Sequence, residues 1–257
     1  MGQGSCKFGG KRLCDFNETT IMLMTKPDEL IIRPDISNYE QIISKYLKES
    51  LASGVSYQGE MNQNNERHGI GKLTWPNNSY YIGNFLHNVC FGHGFLILNS
   101  EESREGEWKN DQLNGKGSII TKDYRYTGEF VKDLPHGKGE IFYTKGGRFE
   151  GDFCFGVKQG QGKLIDQEYT YVGHFDHDMM SGYGICTWKD GKKYRGNWVK
   201  NKMEGKGVFS WPDGSVYEGE YERGLKNGSG FLRGTDGKIV YKGYWLKGER
   251  YGEINIR

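Results

Sequence analysis

Tyr126-Thr127-Gly128-Glu129-Phe130-Val131-Lys132-Asp133-Leu134-Pro135-His136-Gly137-Lys138-Gly139 carries two runs of alternating residues joined by a polar loop. Its first half alternates as a strand does: Tyr126, Gly128 and Phe130 share one face, and Thr127 and Glu129 take the other. Its second half alternates again, with Gly137, Gly139, Ile141 and Tyr143 on one face and Lys138 and Glu140 opposite. A polar loop, Val131–His136, joins the two. The stretch therefore predicts a β-hairpin.

The same pattern extends outward in both directions. The paired glycines recur at Gly69/Gly71, Gly92/Gly94, Gly115/Gly117, Gly137/Gly139, Gly160/Gly162, Gly182/Gly184, Gly205/Gly207 and Gly228/Gly230. The central Gly of an aromatic-x-Gly signature recurs at 59, 83, 106, 128, 151, 173, 196, 219 and 243, spacings of 22 to 24. A fixed period of this length means one supersecondary unit stacked many times. Residues 55–257 read as eight full hairpin units and a ninth partial one, in which Gly252 is followed by Ile254 where a second Gly is expected.

A strand glycine weakens a sheet unless something needs the space it leaves. Two residues beyond the central Gly stand Phe85, Trp108, Phe130, Phe153, Phe175, Trp198, Tyr221 and Trp245, with Met61 the exception. These rings are expected to lie over cross-strand glycines and to stabilise a sheet with no second layer. The opposite face is polar, with carboxylates at Glu60, Glu107, Glu129, Asp152 and Glu220 and lysines at Lys116, Lys138 and Lys206. With strands about 4.8 Å apart, nine hairpins would extend on the order of 80 Å.

The units resemble the MORN (membrane occupation and recognition nexus) repeat. Tyr126–Gly139 carries the resemblance, as do Tyr194-Arg195-Gly196-Asn197-Trp198 and Glu204-Gly205-Lys206-Gly207. Some units depart from the pattern: Arg104 and Phe149 replace the leading Tyr, and Gln167-Glu168 stand where others have Asp-Gly. The resemblance implies an all-β fold, an elongated single-layer antiparallel sheet of consecutive hairpins. Similar arrays stand beside catalytic domains in plant phosphatidylinositol-phosphate kinases and SET-domain methyltransferases. They also occur largely alone, or with non-enzymatic partners, in junctophilins, radial-spoke head proteins and cortical cytoskeletal proteins.

Residues 1–54 break the period. Residues 1–19 read as a flexible N-terminus and 20–54 as a small α/β cap, with short strands at Thr20–Met24 and Leu30–Arg33. From Asn38 to Leu51 the apolar residues Tyr39, Ile42, Ile43, Tyr46, Leu47 and Leu51 fall on one helical face. Ser37 and Glu40 form a capping-box pattern, and Gly54 is a stop signal. The segment is expected to cover the open edge of the first hairpin; the alternative is a helix that docks on a partner or membrane. Met1-Gly2-Gln3-Gly4-Ser5-Cys6 approaches the myristoylation pattern, which makes Gly2 and Cys6 candidate sites for myristate and palmitate.

Composition bounds the chemistry. Of 257 residues 40 are Gly and 14% are aromatic, and the net charge is only +2, so no basic field argues for nucleic acid. The five cysteines lack C-x-x-C spacing and read as reduced thiols. No nucleophile elbow is present, and the sequence around Gly162-Lys163 lacks the first Gly and the Ser/Thr of a phosphate loop. The scattered His68, His136, His174 and His177 read as solvated or turn-capping. No enzyme, cofactor or metal is expected.

The expected function is a non-catalytic scaffold. An extended peptide or helix of a cytoskeletal or ciliary protein would lie along a trough of Phe85, Trp108, Phe130, Phe153, Phe175, Trp198 and Tyr221. The N-terminus would tether the assembly to membrane, at the cell cortex or cilium. Alternatives are a phosphoinositide-binding module and a non-catalytic subunit of an enzyme complex. Tyr241, Tyr244, Trp245 and Tyr251 mark a candidate self-association end, giving a homodimer through the C-terminal repeats.

Overall fold

The computed structural model describes residues 35–98 and 102–253. Among the described residues it holds one short α-helix, a 3-10 turn at Ala52–Gly54 and 19 strands. The chain divides into two compact units: one reaches Gly146 and includes Cys154–Gly156, and the other comprises Gly147–Phe153 and Val157 onward.

In the first unit α1 (Ser37–Ile43) precedes β1 (Glu49–Ser50), β2 (Ser56–Met61), β3 (Arg67–Thr74), β4 (Tyr80–Leu86), β5 (Val89–Leu98), β6 (Glu102–Lys109), β7 (Gln112–Ile120), β8 (Tyr124–Val131) and β9 (Leu134–Tyr143). Each strand pairs antiparallel with the next. The second unit continues the rule with β10 (Arg148–Cys154), β11 (Val157–Ile165), β12 (Tyr169–Asp176), β13 (Met179–Trp188), β14 (Lys193–Val199), β15 (Lys202–Ser210), β16 (Val216–Glu222), β17 (Leu225–Arg233), β18 (Ile239–Leu246) and β19 (Glu249–Glu253). The fold is all-β, an open antiparallel array of consecutive hairpins, as the period requires.

The loops within hairpins are tighter than the expected polar segments. In eight of the nine hairpins two residues make the turn, both at positive φ, as in Lys132 (50°) and Asp133 (66°) or Lys200 (48°) and Asn201 (65°). A turn with both central residues left-handed matches the right-handed twist of the flanking strands, and favours Asn, Asp or Gly at its second place. Here Asn88, Asp111, Asp133, Gly156, Asp178, Asn201, Gly224 and Gly248 hold that place. Several of these side chains also clasp the preceding hairpin. Asp133 Oδ1 accepts from the Leu113 N–H at 2.9 Å, while the Asp133 N–H donates to the Leu113 carbonyl at 2.9 Å. Asn201 and Met180 repeat the arrangement in the second unit.

The two glycines of each pair have different jobs, which corrects the reading of both as ring slots. The second lies beneath the leading aromatic of its own hairpin. A Cβ at Gly139 would come within 2.5 Å of the Tyr126 ring, and one at Gly162 within 2.5 Å of Phe149. The first sits at a bulge in the ladder, where Gly137 has φ +65°, a region costly for a side chain. A carboxylate from the neighbouring strand covers that bulge: Glu129 accepts from the Lys138 N–H at 3.3 Å, and Asp152 from the Gln161 N–H at 2.9 Å.

The residues two beyond the central Gly therefore do not fill the slots. They stand edge-on to the leading rings of their own and the preceding hairpin. In the second unit this gives a continuous row, Phe153, Phe149, Phe175, Tyr171, Trp198, Tyr194, Tyr221, Tyr217, Trp245 and Tyr241, with centroid separations from 4.7 to 5.5 Å. Edge-to-face contacts of this kind stabilise beyond the area they bury. The tyrosine hydroxyls lie against the backbone, as Tyr194 shows by donating to the Asn197 carbonyl at 3.1 Å. Where Arg104 replaces the leading Tyr, Leu113 fills the slot over Gly106 and Gly117. Arg104 turns instead to Glu102 at 2.8 Å and Asp133 at 3.6 Å.

The helix is shorter than expected and lies elsewhere. It ends at Ile43 rather than Leu51, because the chain must turn back for Glu49 and Ser50 to pair with β2. Leu47 is consequently exposed. No capping box forms; the Ser37 N–H bonds the Asp35 carboxylate at 3.0 Å. The open edge of β2 is met by β1, while α1 packs on the sheet face. Ile43 is buried with Ile82 and Phe95, and Ile36, Tyr39, Ile70 and Tyr80 close around them. The strands expected at Thr20–Met24 and Leu30–Arg33 lie outside the described residues.

Candidate functional site

The sheet presents two different faces, and the hairpin register decides which residue meets which. Tyr, central Gly and second aromatic alternate with exposed polar residues, so β14 reads exposed, buried, exposed, buried from Lys193 onward. The buried side is the aromatic row.

That burial corrects the expected trough. Phe85, Trp108, Phe130, Phe153, Phe175, Trp198 and Tyr221 are each only 1–4% exposed. Their surface is spent on neighbouring rings and on backbone, with the Trp108 indole N–H donating to the Gly94 carbonyl at 2.9 Å. Two residues of the expected self-association end are sealed in the same row, Tyr241 at 6% and Trp245 at 5% exposure. The other two are open: Tyr244 is 50% exposed and Tyr251 77%. In the same row burial pushes the phenol of Tyr217 up to about 12. Gly2 and Cys6 lie outside the described residues.

The opposite, charged face of the second unit holds a groove of about 540 Å³. Strands β13 to β18 build it. Arg195, Glu218 and Lys242 precede the central glycines Gly196, Gly219 and Gly243; Lys206 and Ser229 stand between paired glycines; Val208 and Phe231 follow the pairs. Tyr183, 48% exposed, closes one end. The cross-strand register runs Arg195–Val208–Glu218–Phe231–Lys242, so charges of alternating sign are separated by apolar side chains. Glycine backbone forms part of the floor, because Gly196, Gly207, Gly219 and Gly230 carry no side chain on either face. Reading the sequence for rings alone misses this site; its signal is the run of residues flanking the glycines.

Chemistry is sparse around it. Among the described residues no group of three His, Cys, Asp or Glu side chains is placed to hold a metal ion. His136 Nδ1 faces the Phe155 N–H at 3.5 Å, a turn-capping role, and His177 Nδ1 meets Asp176 at 2.8 Å on the exposed surface. Gly162, at the nearest approach to a phosphate loop, is a strand residue beneath Phe149. Cys90 and Cys186 are buried thiols, and burial pushes that of Cys186 up to about 12, which makes it a poor nucleophile. Cys154 is disulfide-bonded, which corrects the reading of all five cysteines as reduced. Among the described residues no helix is long and apolar enough to cross a membrane.

The MORN repeat model matches residues 57–80, 81–100, 105–123, 126–148, 171–193, 194–216 and 217–239. The chain belongs to the MORN repeat family. Hairpins β10/β11 and β18/β19 lie beyond the matched ranges except for their first residues, Arg148 and Ile239, yet keep the same pairing and ring packing. No catalytic domain is identified. No curated protein sequence matches the chain. Among solved structures it is similar to the G-box domain of the microcephaly protein CPAP, at 9% identity and TM-score 0.42, covering 78% of this chain and 99% of that one. It is also similar to the TCP domain of SAS-4 from Drosophila melanogaster, solved in complex with a proline-rich motif of Ana2, at 12% identity and TM-score 0.36, covering 73% and 94%. The TCP10 domain of Danio rerio CPAP is similar at 13% identity and TM-score 0.33, covering 77% and 100%.

Proposed function

We propose that this MORN protein is a non-catalytic scaffold that binds a protein partner of the cytoskeleton or cilium. The observation that carries the reading is the contrast between the faces. The aromatic face is sealed by its own packing, whereas the charged face of the second unit leaves a groove with Tyr183 open beside it. An exposed aromatic beside a groove of mixed charge is the composition of an interaction surface rather than of a reaction centre. The partner surface is thereby moved from the rings to the face behind them. Acyl groups at Gly2 and Cys6 would hold the assembly at the cell cortex or ciliary membrane.

Direct phosphoinositide recognition is the second reading, and the groove cations Arg195, Lys206 and Lys242 speak for it. Glu218 and Glu220 stand among them, and carboxylates beside a phosphate site repel the ligand.

Native co-purification combined with vesicle flotation tests the choice. The scaffold reading expects a stoichiometric cytoskeletal or ciliary protein to co-purify. It also expects Gly2→Ala protein to lose flotation with phosphatidylserine and phosphoinositide vesicles. Undiminished flotation of Gly2→Ala, with no protein partner, would favour the lipid reading.

A further inference from the structure

We propose that the edge formed by the last three hairpin turns is a docking site for an extended acidic segment of a partner protein, separate from the groove on the charged face. The two-residue turns change charge abruptly along the chain. Asn110-Asp111, Lys132-Asp133 and His177-Asp178 place a carboxylate in the turn. Lys200-Asn201, Arg223-Gly224 and Lys247-Gly248 each hold one cation and no carboxylate. All three of these turns belong to the second unit.

Their cations are left without partners. At the same turn place His87 meets Glu66 and His177 meets Asp176, each at 2.8 Å. Among the described residues Lys200, Arg223 and Lys247 form no ion pair, and all three are exposed. The carboxylates beside them are mostly engaged: Glu204 accepts from the Arg223 N–H at 2.9 Å, and Glu222 from the Asn227 amide at 2.7 Å. Glu249 is outnumbered by Lys202, Lys226 and Arg250, which follow the same three turns. In a chain of net charge +2 this is a concentrated positive edge. Each tip adds an aliphatic side chain. Val199 precedes Lys200, Leu225 follows the Arg223 turn and Leu246 precedes Lys247, and they are 49%, 50% and 50% exposed.

The spacing of the tips specifies the occupant. Successive tips lie two strands apart, about 9.6 Å. A chain in polyproline II geometry turns once in three residues and rises about 9.3 Å in doing so. Acidic residues at every third place therefore meet Lys200, Arg223 and Lys247 in turn, drifting by only about 0.6 Å over two intervals. A β-strand does not fit, because residues three apart face opposite ways. An anionic membrane fits less well than a peptide, since a continuous surface would press its headgroups against Glu222 and Glu249. A segment one residue wide places its charges only where cations stand, and apolar residues between them meet Val199, Leu225 and Leu246.

Labelled peptides of about twelve residues test this against the full chain by fluorescence anisotropy at about 0.1 M salt. The probes are four repeats of Glu-Leu-Pro, a permuted peptide with its Glu residues adjacent, and a Lys-Leu-Pro version. The Glu-Leu-Pro peptide should bind, and the other two at least about fivefold more weakly. Lys200→Asn/Arg223→Asn/Lys247→Asn protein should lose at least about tenfold in affinity. Asn suits these positive-φ places, so the turns keep their shape. Lys122→Gln/Lys189→Gln/Lys193→Gln protein, which has the same net charge, should stay within about twofold of wild type. Equal losses in the two triple variants would reduce the attraction to net charge and overturn the site. Equal binding of the permuted peptide would overturn the extended register. Absence of peptide binding, whether or not phosphatidylserine vesicles bind through the turn cations, would overturn the acidic segment as occupant. Any of these failures, with native partners still dependent on Arg195 and Lys242, would leave the scaffold reading standing.

Discussion

The Tyr194 ring lies over Gly207 on the neighbouring strand, and its hydroxyl reaches the Asn197 carbonyl at 3.1 Å. One aromatic thus fills the space of a missing side chain and satisfies a backbone acceptor in the bulged stretch beside it. A methyl group at Gly207 would enter the ring, while Gly214, in a turn at φ +89°, has nothing within 4 Å of its Cβ position. Gly207→Ala should destabilise the chain by about 2–3 kcal/mol, the upper end of overpacking, because the ring beneath which it lies is itself packed. Gly214→Ala should cost about 1 kcal/mol, from backbone strain alone. Urea unfolding of the two variants measures the difference; equal losses would contradict the slot assignment.

The two faces should answer differently to truncation. Trp198, edge-on to both Tyr171 and Tyr194, is buried, and Trp198→Ala should cost about 3–5 kcal/mol. Tyr183 on the opposite face is half exposed, so Tyr183→Ala should stay within about 0.5 kcal/mol while weakening partner binding. A repeat array also loses cooperativity when one interface fails. Calorimetric unfolding of Trp198→Ala is therefore expected to broaden or split, and a transition as sharp as wild type would contradict the account.

The buried phenols set an alkaline limit. Burial raises the folded value of Tyr217 from 10.0 to about 12, and those of Tyr81, Tyr126, Tyr171, Tyr194 and Tyr221 higher still. A raised folded value means that the native state holds its proton more tightly. The stabilisation is therefore fully present below pH 10 and is lost as pH rises through 12. Urea midpoints should be flat up to about pH 9 and then fall, with tyrosinate absorbance appearing together with loss of sheet. Gradual ionisation from pH 10 with the sheet intact would contradict the burial.

Much of this was legible in the sequence. The period follows from the recurring glycine pairs, and the hairpins and buried alternation from units such as Tyr126, Gly128 and Phe130. Which ring fills which slot was not, because Tyr126 and Phe130 share one face and only cross-strand register places Tyr126 over Gly139. The turn type was readable from the recurring x-Asp, x-Asn and x-Gly pairs. The seat of α1 was signalled by Ile70, Ile82 and Phe95, apolar residues on a face that is charged elsewhere. The helix end was hidden, since the pairing of Glu49 with Tyr57 overrides an apolar pattern running to Leu51.

Self-association through the C-terminal repeats, if it is to occur as proposed, has two exposed residues to use rather than four. Tyr244 and Tyr251 remain exposed, and the outer edge of β19 has no partner strand among the described residues. An unpaired edge is a template for another chain. Light scattering should detect a dimer that Tyr251→Lys converts to monomer, and the same mass for both proteins would contradict a C-terminal interface.

Partners are proposed to bind the charged face of the second unit and not the aromatic row. Quantitative co-purification from the native cell, comparing wild type with Arg195→Glu/Lys242→Glu, tests it most directly. A defined set of proteins should be lost from the double variant, whose urea midpoint stays that of wild type. An unchanged set of partners would contradict it.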